Sequence, residues 1–232
     1  DMLYKKQFKI IFKSLGEIKI TEKIQSTEVN QFRNFCINKI SLPETVMTIK
    51  DKTFKKCHSL TKMTLPNSVE RIGDESFKKC HSLCEITIPE SVKEIGKETF
   101  KECKSLTEVT IPCNVKSIGE KSFENCSKLK CLTMDPYGTR IESDTFNNCN
   151  ELEDLTINTQ KEIIGKSNEN ITSYMKKITI PSTVKKISLC AFYNHSLLKE
   201  IIIPDSVTAI GSSTFSGCSS LTSIKIPNIE KL

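Results

Sequence analysis

Hydrophobic and polar residues follow each other along this chain in a pattern that returns every 23 residues. Each unit reads Pro-x-Ser-Val-x-x-Ile-Gly-x-x-x-Phe-x-x-Cys-x-x-Leu-x-x-Ile-x-Ile. A fixed period of this length is typical of solenoids. One unit is too small to bury its own apolar face, so it must stack on its neighbours.

The units can be aligned on proline, because seven of the eight prolines occupy the same position of the 23-residue unit, which we call a column. That column comprises Pro43, Pro66, Pro89, Pro112, Pro181, Pro204 and Pro227, with Asp135 and Asn158 in the two intervening positions. The phenylalanine column comprises Phe54, Phe77, Phe100, Phe123, Phe146, Phe192 and Phe215. The cysteine column comprises Cys57, Cys80, Cys103, Cys126, Cys149 and Cys218. Isoleucine, glycine and leucine columns keep the same phase.

Each segment of the unit predicts one element. The period-2 alternation of Leu-x-x-Ile-x-Ile, as at Ile86 and Ile88, indicates a short strand with isoleucine inward. Proline ends that strand because it lacks an N–H. Val-x-x-Ile-Gly predicts a second short strand or an extended turn. Phe-x-x-Cys-x-x-Leu has the spacing of a short helical turn.

Stacking these units predicts an α/β repeat solenoid of 23-residue coils. A parallel sheet is expected to line one face, with short strands and helical turns on the other faces. Strands about 4.8 Å apart make about eight coils roughly 40 Å long.

Three segments depart from the pattern. Residues 1–36 predict an N-terminal cap and a degenerate first coil, in which Leu15, Ile18 and Ile20 match the strand motif one residue out of phase. The repeats occupy residues 37–227. Within them, unit 158–180 is degenerate, with Glu169 and Thr172 in the phenylalanine and cysteine positions. It is either a loosened coil, with Ile171 or Tyr174 refilling the space, or a place where a partner docks or the solenoid bends.

The two ends of the chain indicate processing or truncation. The chain starts at Asp1 rather than methionine, which suggests a processed product or a fragment. Residues 228–232 form a short tail without a recognisable polar cap. An uncapped coil exposes core and an unpaired strand, so truncation or a homodimer through this end is expected.

Composition excludes several classes of protein. Apolar residues make up 37% of the chain and charged residues 27%, as in folded globular proteins, and no apolar run is long enough to insert into a membrane. The net charge of +6 comes from 34 basic and 28 acidic residues that are mixed along the chain, without tryptophan. Nucleic-acid binding proteins concentrate basic residues and aromatic stackers, so nucleic acid is not an expected partner.

The 11 cysteines favour buried free thiols over a disulfide framework. Stacked columns bring cysteines within disulfide distance, but free cysteine is also among the residues most often buried. Cys84 and Cys131 lie near the strands and are predicted to be exposed. Many free thiols favour a reducing compartment. Three short glycosylation sequons, at Asn125, Asn170 and Asn194, carry less weight and favour a secreted protein instead.

No residue pattern predicts catalysis, a metal site or a cofactor. His58 and His81 share one column and are expected at exposed turns, too few for a metal site without carboxylates. His195 replaces cysteine in its column. No catalytic triad, phosphate loop or acid pair emerges, so the chain is not expected to be an enzyme.

The units Pro66–Ile88, Pro89–Ile111 and Pro204–Ile226 resemble the leucine-rich repeats of BspA-like proteins, also called the Treponema pallidum type. The resemblance covers about residues 37–227 and implies a right-handed curved solenoid. It also implies binding, because characterised bacterial members are surface proteins that adhere to host matrix proteins or to other cells. Within the family, this chain is most similar to the sets found in parasitic protists such as Entamoeba and Trichomonas.

The outward strand positions are the candidate partner-binding residues on the concave face. One column reads Thr64, Thr87, Thr110, Thr133, Thr156 and Thr179, followed by Ile202 and Lys225. A flanking column contains Lys62, Glu85, Glu108, Asp154, Lys177 and Glu200. Threonine also stabilises strands by itself. The hydroxyl strip with its mixed-charge border favours a protein or glycan partner over a polyanion.

Two functions therefore remain open. The first is an adhesion module, displayed or secreted as in the family. The second is an intracellular scaffold or regulator that uses the same face, which free thiols would favour. The cellular location differs accordingly, at the cell surface or outside in the first case and in the cytoplasm in the second.

Overall fold

The protein is a parallel-sheet solenoid of about nine turns of roughly 23 residues. The computed structural model describes residues 10–14, 16–20, 23–28, 30–165, 171 and 175–227. Leu15, Glu169, Thr172, Tyr174 and the tail 228–232 lie outside the described residues, and so does the sequon residue Asn170.

Successive coils contribute their strands to two layers, which we call sheet 1 and sheet 2. Sheet 1 contains the longer strands β2 (Glu17–Ile20), β3 (Lys39–Ser41), β5 (Lys62–Thr64), β7 (Glu85–Thr87), β9 (Glu108–Thr110), β11 (Cys131–Met134), β13 (Asp154–Ile157), β15 (Lys177–Thr179), β17 (Glu200–Ile202) and β19 (Ser223–Lys225). Sheet 2 contains the two-residue strands β4 (Thr48–Ile49), β6 (Arg71–Ile72), β8 (Glu94–Ile95), β10 (Ser117–Ile118), β12 (Arg140–Ile141), β14 (Ile163–Ile164), β16 (Lys186–Ile187) and β18 (Ala209–Ile210). We number the coils 1–9 from the sheet 1 strand with which each begins, from β2 to β17.

The strand prediction for sheet 1 is confirmed. Sheet 1 is hydrogen-bonded in three sections, β2–β3, β5–β7 and β9 to β19. Within each section neighbouring strands are parallel and in register, with Met63 opposite Ile86 and Leu132 opposite Val109. These central side chains are buried, whereas the residues on either side of them face outward. One more strand, β1 (Ile10–Ser14), pairs antiparallel with β2 and occupies the edge of the sheet before the first parallel coil.

The third side of coils 1–6, 8 and 9 consists of turns, so the predicted helical turn is wrong; the described residues contain no helix. Each of these coils has two residues with positive φ on this side, four positions apart, such as Lys52 at 59° and Lys56 at 63°. An α-helix cannot contain such residues. Their N–H groups donate to the next coil instead, from Lys52 to the Asp74 carbonyl at 2.8 Å and from Lys56 to the Lys78 carbonyl at 2.8 Å.

The phenylalanine column forms a stack through the core. Ring centroids of Phe77 and Phe100 are 5.4 Å apart, and those of Phe100 and Phe123 are 5.0 Å apart. The stack begins one coil earlier than the repeat predicts, because buried Phe32 stacks on Phe54 at 5.4 Å. Phe32 precedes Phe54 by 22 residues, so the shortened first coil takes it out of the 23-residue phase.

The cysteine column packs beside this stack, and its thiols donate hydrogen bonds to backbone carbonyls. The Phe54 carbonyl accepts the backbone N–H of Cys57 at 3.0 Å and the thiol of Cys80, in the next coil, at 3.1 Å. The same thiol contact recurs at Cys57, Cys103, Cys126, Cys149 and Cys218. Burial raises the pKa of the Cys57 thiol to about 12. These cysteines are therefore protonated donors that join coils.

The solenoid is less tightly stacked between coils 6 and 7, on the side of sheet 2. Sheet 1 is continuous from β11 through β13 to β15, but sheet 2 divides into β4–β12 and β14–β18 in the described part of the chain. Phe146 in coil 6 is only half-buried, unlike Phe123 in coil 5. This division lies in the predicted degenerate unit 158–180. It agrees with a loosened coil, while a docking role for that unit stays a prediction.

Candidate functional site

The six threonines of the predicted site form one strip on the outer side of sheet 1. Each is the third residue of its strand, and Thr110, Thr133, Thr156 and Thr179 lie opposite one another in continuous register. Thr64 lies opposite Thr87 in the same way. Four of the six are exposed, and Thr133 and Thr179 are half-buried. We call this strip, with its flanking charged residues, the strand face.

The charged residues of the strand face are brought together in pairs at both of its ends. Lys62 Nζ lies 2.6 Å from Glu85 Oε2, and Lys177 Nζ lies 3.2 Å from Glu200 Oε2. Each pair joins neighbouring strands, since Lys62 is in register with Glu85 and Lys177 with Glu200. Both ends of the flanking column are therefore electrically neutral.

The centre of the flanking column is acidic. Exposed Cys131 lies in register between Glu108 and Asp154, and its Sγ is 3.9 Å from an Asp154 carboxylate oxygen. Among the described residues, neither carboxylate has an ion-pair partner. Partial burial raises the pKa of Cys131, and the two carboxylates raise it further. The centre thus presents a protonated thiol between two negative charges.

Sequence reasoning missed Cys131 as a member of this site. The residue was recognised as exposed, but its position in the flanking column depends on the register of β9, β11 and β13. The signal in the sequence is the spacing, because Cys131 lies 23 residues after Glu108 and 23 before Asp154. Cys84, which was also predicted to be exposed, is half-buried and contacts the Thr61 carbonyl at 3.3 Å.

The turn side of coils 2–5 carries a second charged array that the sequence analysis did not identify. Glu75 pairs with Lys55 and Lys78, Glu98 with Lys78 and Lys101, and Glu124 with Lys101. Partial burial raises the pKa of Glu75, but hydrogen bonds from Lys55 and Lys78 outweigh it and lower the value to about 2. We call these residues the ion-pair ladder. Its charges neutralise one another between adjacent coils.

The two histidines of one column stack on each other. Their ring centroids are 4.7 Å apart; His58 is exposed, whereas His81 is half-buried, contrary to the expected exposure. Burial lowers the pKa of His81, and the neighbouring His58 lowers it further. His195, in the cysteine column, is buried in the core against Phe192.

Neither a metal centre nor a membrane segment emerges from the part of the chain that the structure describes. No group of three histidine, cysteine, aspartate or glutamate side chains there is arranged to hold a metal ion. The same residues include no helix of the length and hydropathy that a bilayer crossing requires.

Two solved structures of leucine-rich repeat proteins are similar to this chain. The leucine-rich repeat protein of T. pallidum has a TM-score of 0.50 and 23% sequence identity, over 93% of this chain and 88% of that protein. A leucine-rich cell surface protein of Faecalibacterium prausnitzii has a TM-score of 0.46 and 22% identity, over 95% of this chain and 81% of that protein. No curated protein matches.

The repeat itself identifies the family. The model of the BspA type leucine-rich repeat region matches in six copies, at residues 2–130 and 139–232. These ranges include the turn segments of the ion-pair ladder and the strands of the strand face except β11. The chain therefore belongs to the BspA-type leucine-rich repeat family.

Proposed function

We propose that this protein is a non-catalytic binding module that recognises a protein or glycan partner through the strand face. The observation that carries this proposal is the strip of six threonines on the outer side of sheet 1, in which Thr64 is in register with Thr87 and the other four are in register with one another. Five spacings of about 4.8 Å make the strip about 24 Å long. That length is sufficient for the central part of a protein interface of ordinary size.

The chemistry of the strip favours partners that form directional hydrogen bonds. Threonine hydroxyls both donate and accept, as do glycan hydroxyls and peptide groups. The neutral pairs Lys62–Glu85 and Lys177–Glu200 bound an acidic centre at Glu108 and Asp154. An acidic centre repels polyanions, so the strand face is better suited to a protein or glycan than to nucleic acid.

We expect Thr110→Arg with Thr156→Arg to abolish partner binding, with at least about a 100-fold increase in Kd, because two long charged side chains would cover the centre of the strip. The assay measures binding to a panel of immobilised extracellular-matrix proteins and to a glycan array. The matched control is Ser117→Arg, on the outer side of sheet 2, which leaves binding unchanged. Circular dichroism checks that the variants are folded. Undiminished binding by the double variant would reject the strand face as the site.

The cellular setting that we propose is display at the surface or secretion, with adhesion as the biological role. Family membership supports a binding module, and adhesion is the finer proposal. A homodimer through the last coil is a further proposal.

The second candidate is an intracellular scaffold that uses the same strand face. Its support is the thiol column, in which six cysteines act as hydrogen-bond donors to phenylalanine carbonyls. A disulfide would remove these donors, so the arrangement favours a reducing compartment.

For a scaffold in a reducing compartment, we expect a thiol reagent to modify exposed Cys36 rapidly in the folded protein and the six column thiols only after unfolding. Burial raises the pKa of Cys57 and Cys103, and buried thiols react slowly as well. The protein is purified from its source with thiols blocked at lysis, and mass spectrometry counts the blocked residues. Disulfides within the column, together with labelling of the protein on intact cells, would favour the adhesion module instead.

A further inference from the structure

Coil 8 exposes three large apolar side chains on the turn side of the solenoid. Leu189, Tyr193 and Leu197 are 60%, 48% and 47% exposed. They follow the turn side in chain order, from the residues after β16 to those before β17. Buried Ala191, Phe192 and Leu198 alternate with them and anchor this segment to the core.

The repeat shows that coil 8 differs from coils 2–6 and 9 at these positions. In coils 2–6 and 9, the same three columns contain only charged or polar residues, three in each of six coils. The Leu189 column reads Asp51, Asp74, Lys97, Glu120, Ser143 and Ser212; the Tyr193 column reads Lys55, Lys78, Lys101, Glu124, Asn147 and Ser216; and the Leu197 column reads Ser59, Ser82, Ser105, Lys128, Glu151 and Ser220. Single exposed apolar residues are common on proteins, whereas a group at otherwise polar positions indicates an interaction site.

The charged residues of coil 8 also differ from those of the coils that carry the ion-pair ladder. The Tyr193 column supplies Lys55, Lys78, Lys101 and Glu124 to the ion-pair ladder, so tyrosine replaces the ladder in coil 8. Between residues 175 and 200 the chain has five lysines and one acidic residue, Glu200. Lys176 pairs with Glu153, and Lys177 with Glu200.

Three lysines remain without an ion pair among the described residues of this region: Lys185, Lys186 and Lys199. All three are exposed, and they lie just before Leu189 and just after Leu197 in the chain. In the chain, the apolar residues are therefore flanked by lysines that form no ion pair with the described carboxylates. We call Leu189, Tyr193, Leu197 and these three lysines the coil 8 face.

We propose that the coil 8 face is a second interaction surface, separate from the strand face, and that it binds an acidic segment of a partner protein that also carries apolar side chains. The partner's carboxylates would pair with Lys185, Lys186 and Lys199, while its apolar residues cover Leu189, Tyr193 and Leu197. Charge complementarity of this kind speeds association and selects among partners.

A peptide fits this surface better than a lipid bilayer does. Exposed Asn194 and Ser196 lie between Tyr193 and Leu197. A peptide can form hydrogen bonds with these side chains, whereas acyl chains would bury them without partners at a considerable cost. Tyrosine is also enriched at protein interfaces, because its ring packs while its hydroxyl remains hydrogen-bonded.

The test uses random peptides displayed on phage. They are first depleted on the variant Leu189→Ser, Tyr193→Ser, Leu197→Ser and then selected on the wild-type protein. The three serines are the residues that coil 9 has in the same columns, at Ser212, Ser216 and Ser220, so the variant is expected to fold. We expect the selected peptides to be rich in aspartate or glutamate and in apolar residues.

Selected peptides are then synthesised with a fluorescent label, and their affinity is measured by anisotropy. We expect at least about tenfold weaker binding both to the triple-serine variant and to Lys185→Glu with Lys186→Glu, and weaker binding at high salt. The strand-face variant Thr110→Arg with Thr156→Arg is expected to bind the peptides normally, so this test does not depend on the proposed strand-face function.

Two results would overturn the proposal. One is a selection that yields no peptide with lower affinity for the triple-serine variant. The other is the absence of peptide binding together with sedimentation of the wild-type protein, but not of the triple-serine variant, by vesicles of phosphatidylcholine and phosphatidylserine. The second result would assign the coil 8 face to a membrane surface.

Discussion

Replacing Phe100 with alanine is expected to lower the free energy of unfolding by about 3–5 kcal/mol. Phe100 is fully buried and stacks between Phe77 and Phe123, at centroid distances of 5.4 and 5.0 Å. Backbone hydrogen bonds join its coil to the next one, from Phe100 N–H to the Ser122 carbonyl at 2.7 Å. These bonds prevent the coils from collapsing into the space, so most of the cavity remains. Urea unfolding followed by circular dichroism measures the change.

Phe146 supplies the matched control for this substitution. It has the same position in coil 6 and stacks on Phe123 at 5.2 Å, but it is only half-buried. Phe146→Ala is therefore expected to lower the free energy of unfolding clearly less than Phe100→Ala does, because folding buries less apolar surface at Phe146. Equal effects, or a negligible effect at Phe100, would contradict a continuous aromatic core.

The second large effect is expected for Gly119→Ala, which should lower the free energy of unfolding by about 1–3 kcal/mol. A Cβ on Gly119 would lie 2.5 Å from the backbone nitrogen of Lys97 and 2.6 Å from the backbone carbonyl carbon of Gly96. Both atoms belong to the backbone of the neighbouring coil, so no side-chain rotation can relieve the contact. The coils would have to separate, which weakens the hydrogen bond from Gly119 N–H to the Ile95 carbonyl at 2.8 Å.

Gly165 occupies the same column in coil 7 and gives the opposite expectation. Among the described residues, an added Cβ there meets only Ser188, at 3.7 Å from its Cβ, which is ordinary contact. Gly165→Ala should change stability by no more than about 0.5 kcal/mol. Thermal unfolding of the two variants side by side tests the looser stacking of coils 6 and 7. If Gly165→Ala is as destabilising as Gly119→Ala, the separation inferred from the divided sheet 2 is wrong.

Much of the fold could be predicted from the sequence because equivalent residues of a solenoid meet equivalent residues. A column 23 residues apart, such as Phe77 and Phe100, becomes a spatial stack without any knowledge of long-range topology. The alternation around Ile86 likewise indicated which side of the strand is buried. The helical turn was predicted wrongly because apolar spacing of three residues fits a helix and a series of turns equally well. Positive φ at residues such as Lys52 distinguishes the turns from a helix. The identity of the side chain does not indicate that φ is positive there.

The outward positions of the strand face could also be predicted, since period 2 assigns them. Their pairing could not, because ion pairs depend on register and on side-chain reach. Lys62 and Glu85 neutralise each other, whereas Glu108 and Asp154 have only the Cys131 thiol between them. The coil 8 face illustrates the same point. Its apolar residues are visible in the sequence, but their exposure is a property of the folded turn.

The sequence by itself determined the period, the stacked architecture and the identity of the core, because burial of a short repeat requires equal coils to pack against one another. Tertiary structure alone decided where the backbone donors go, which charges neutralise one another and how closely the coils approach. Those outcomes depend on small differences in the distances between residues of different coils. The same glycine column is closely packed at Gly119 and open at Gly165.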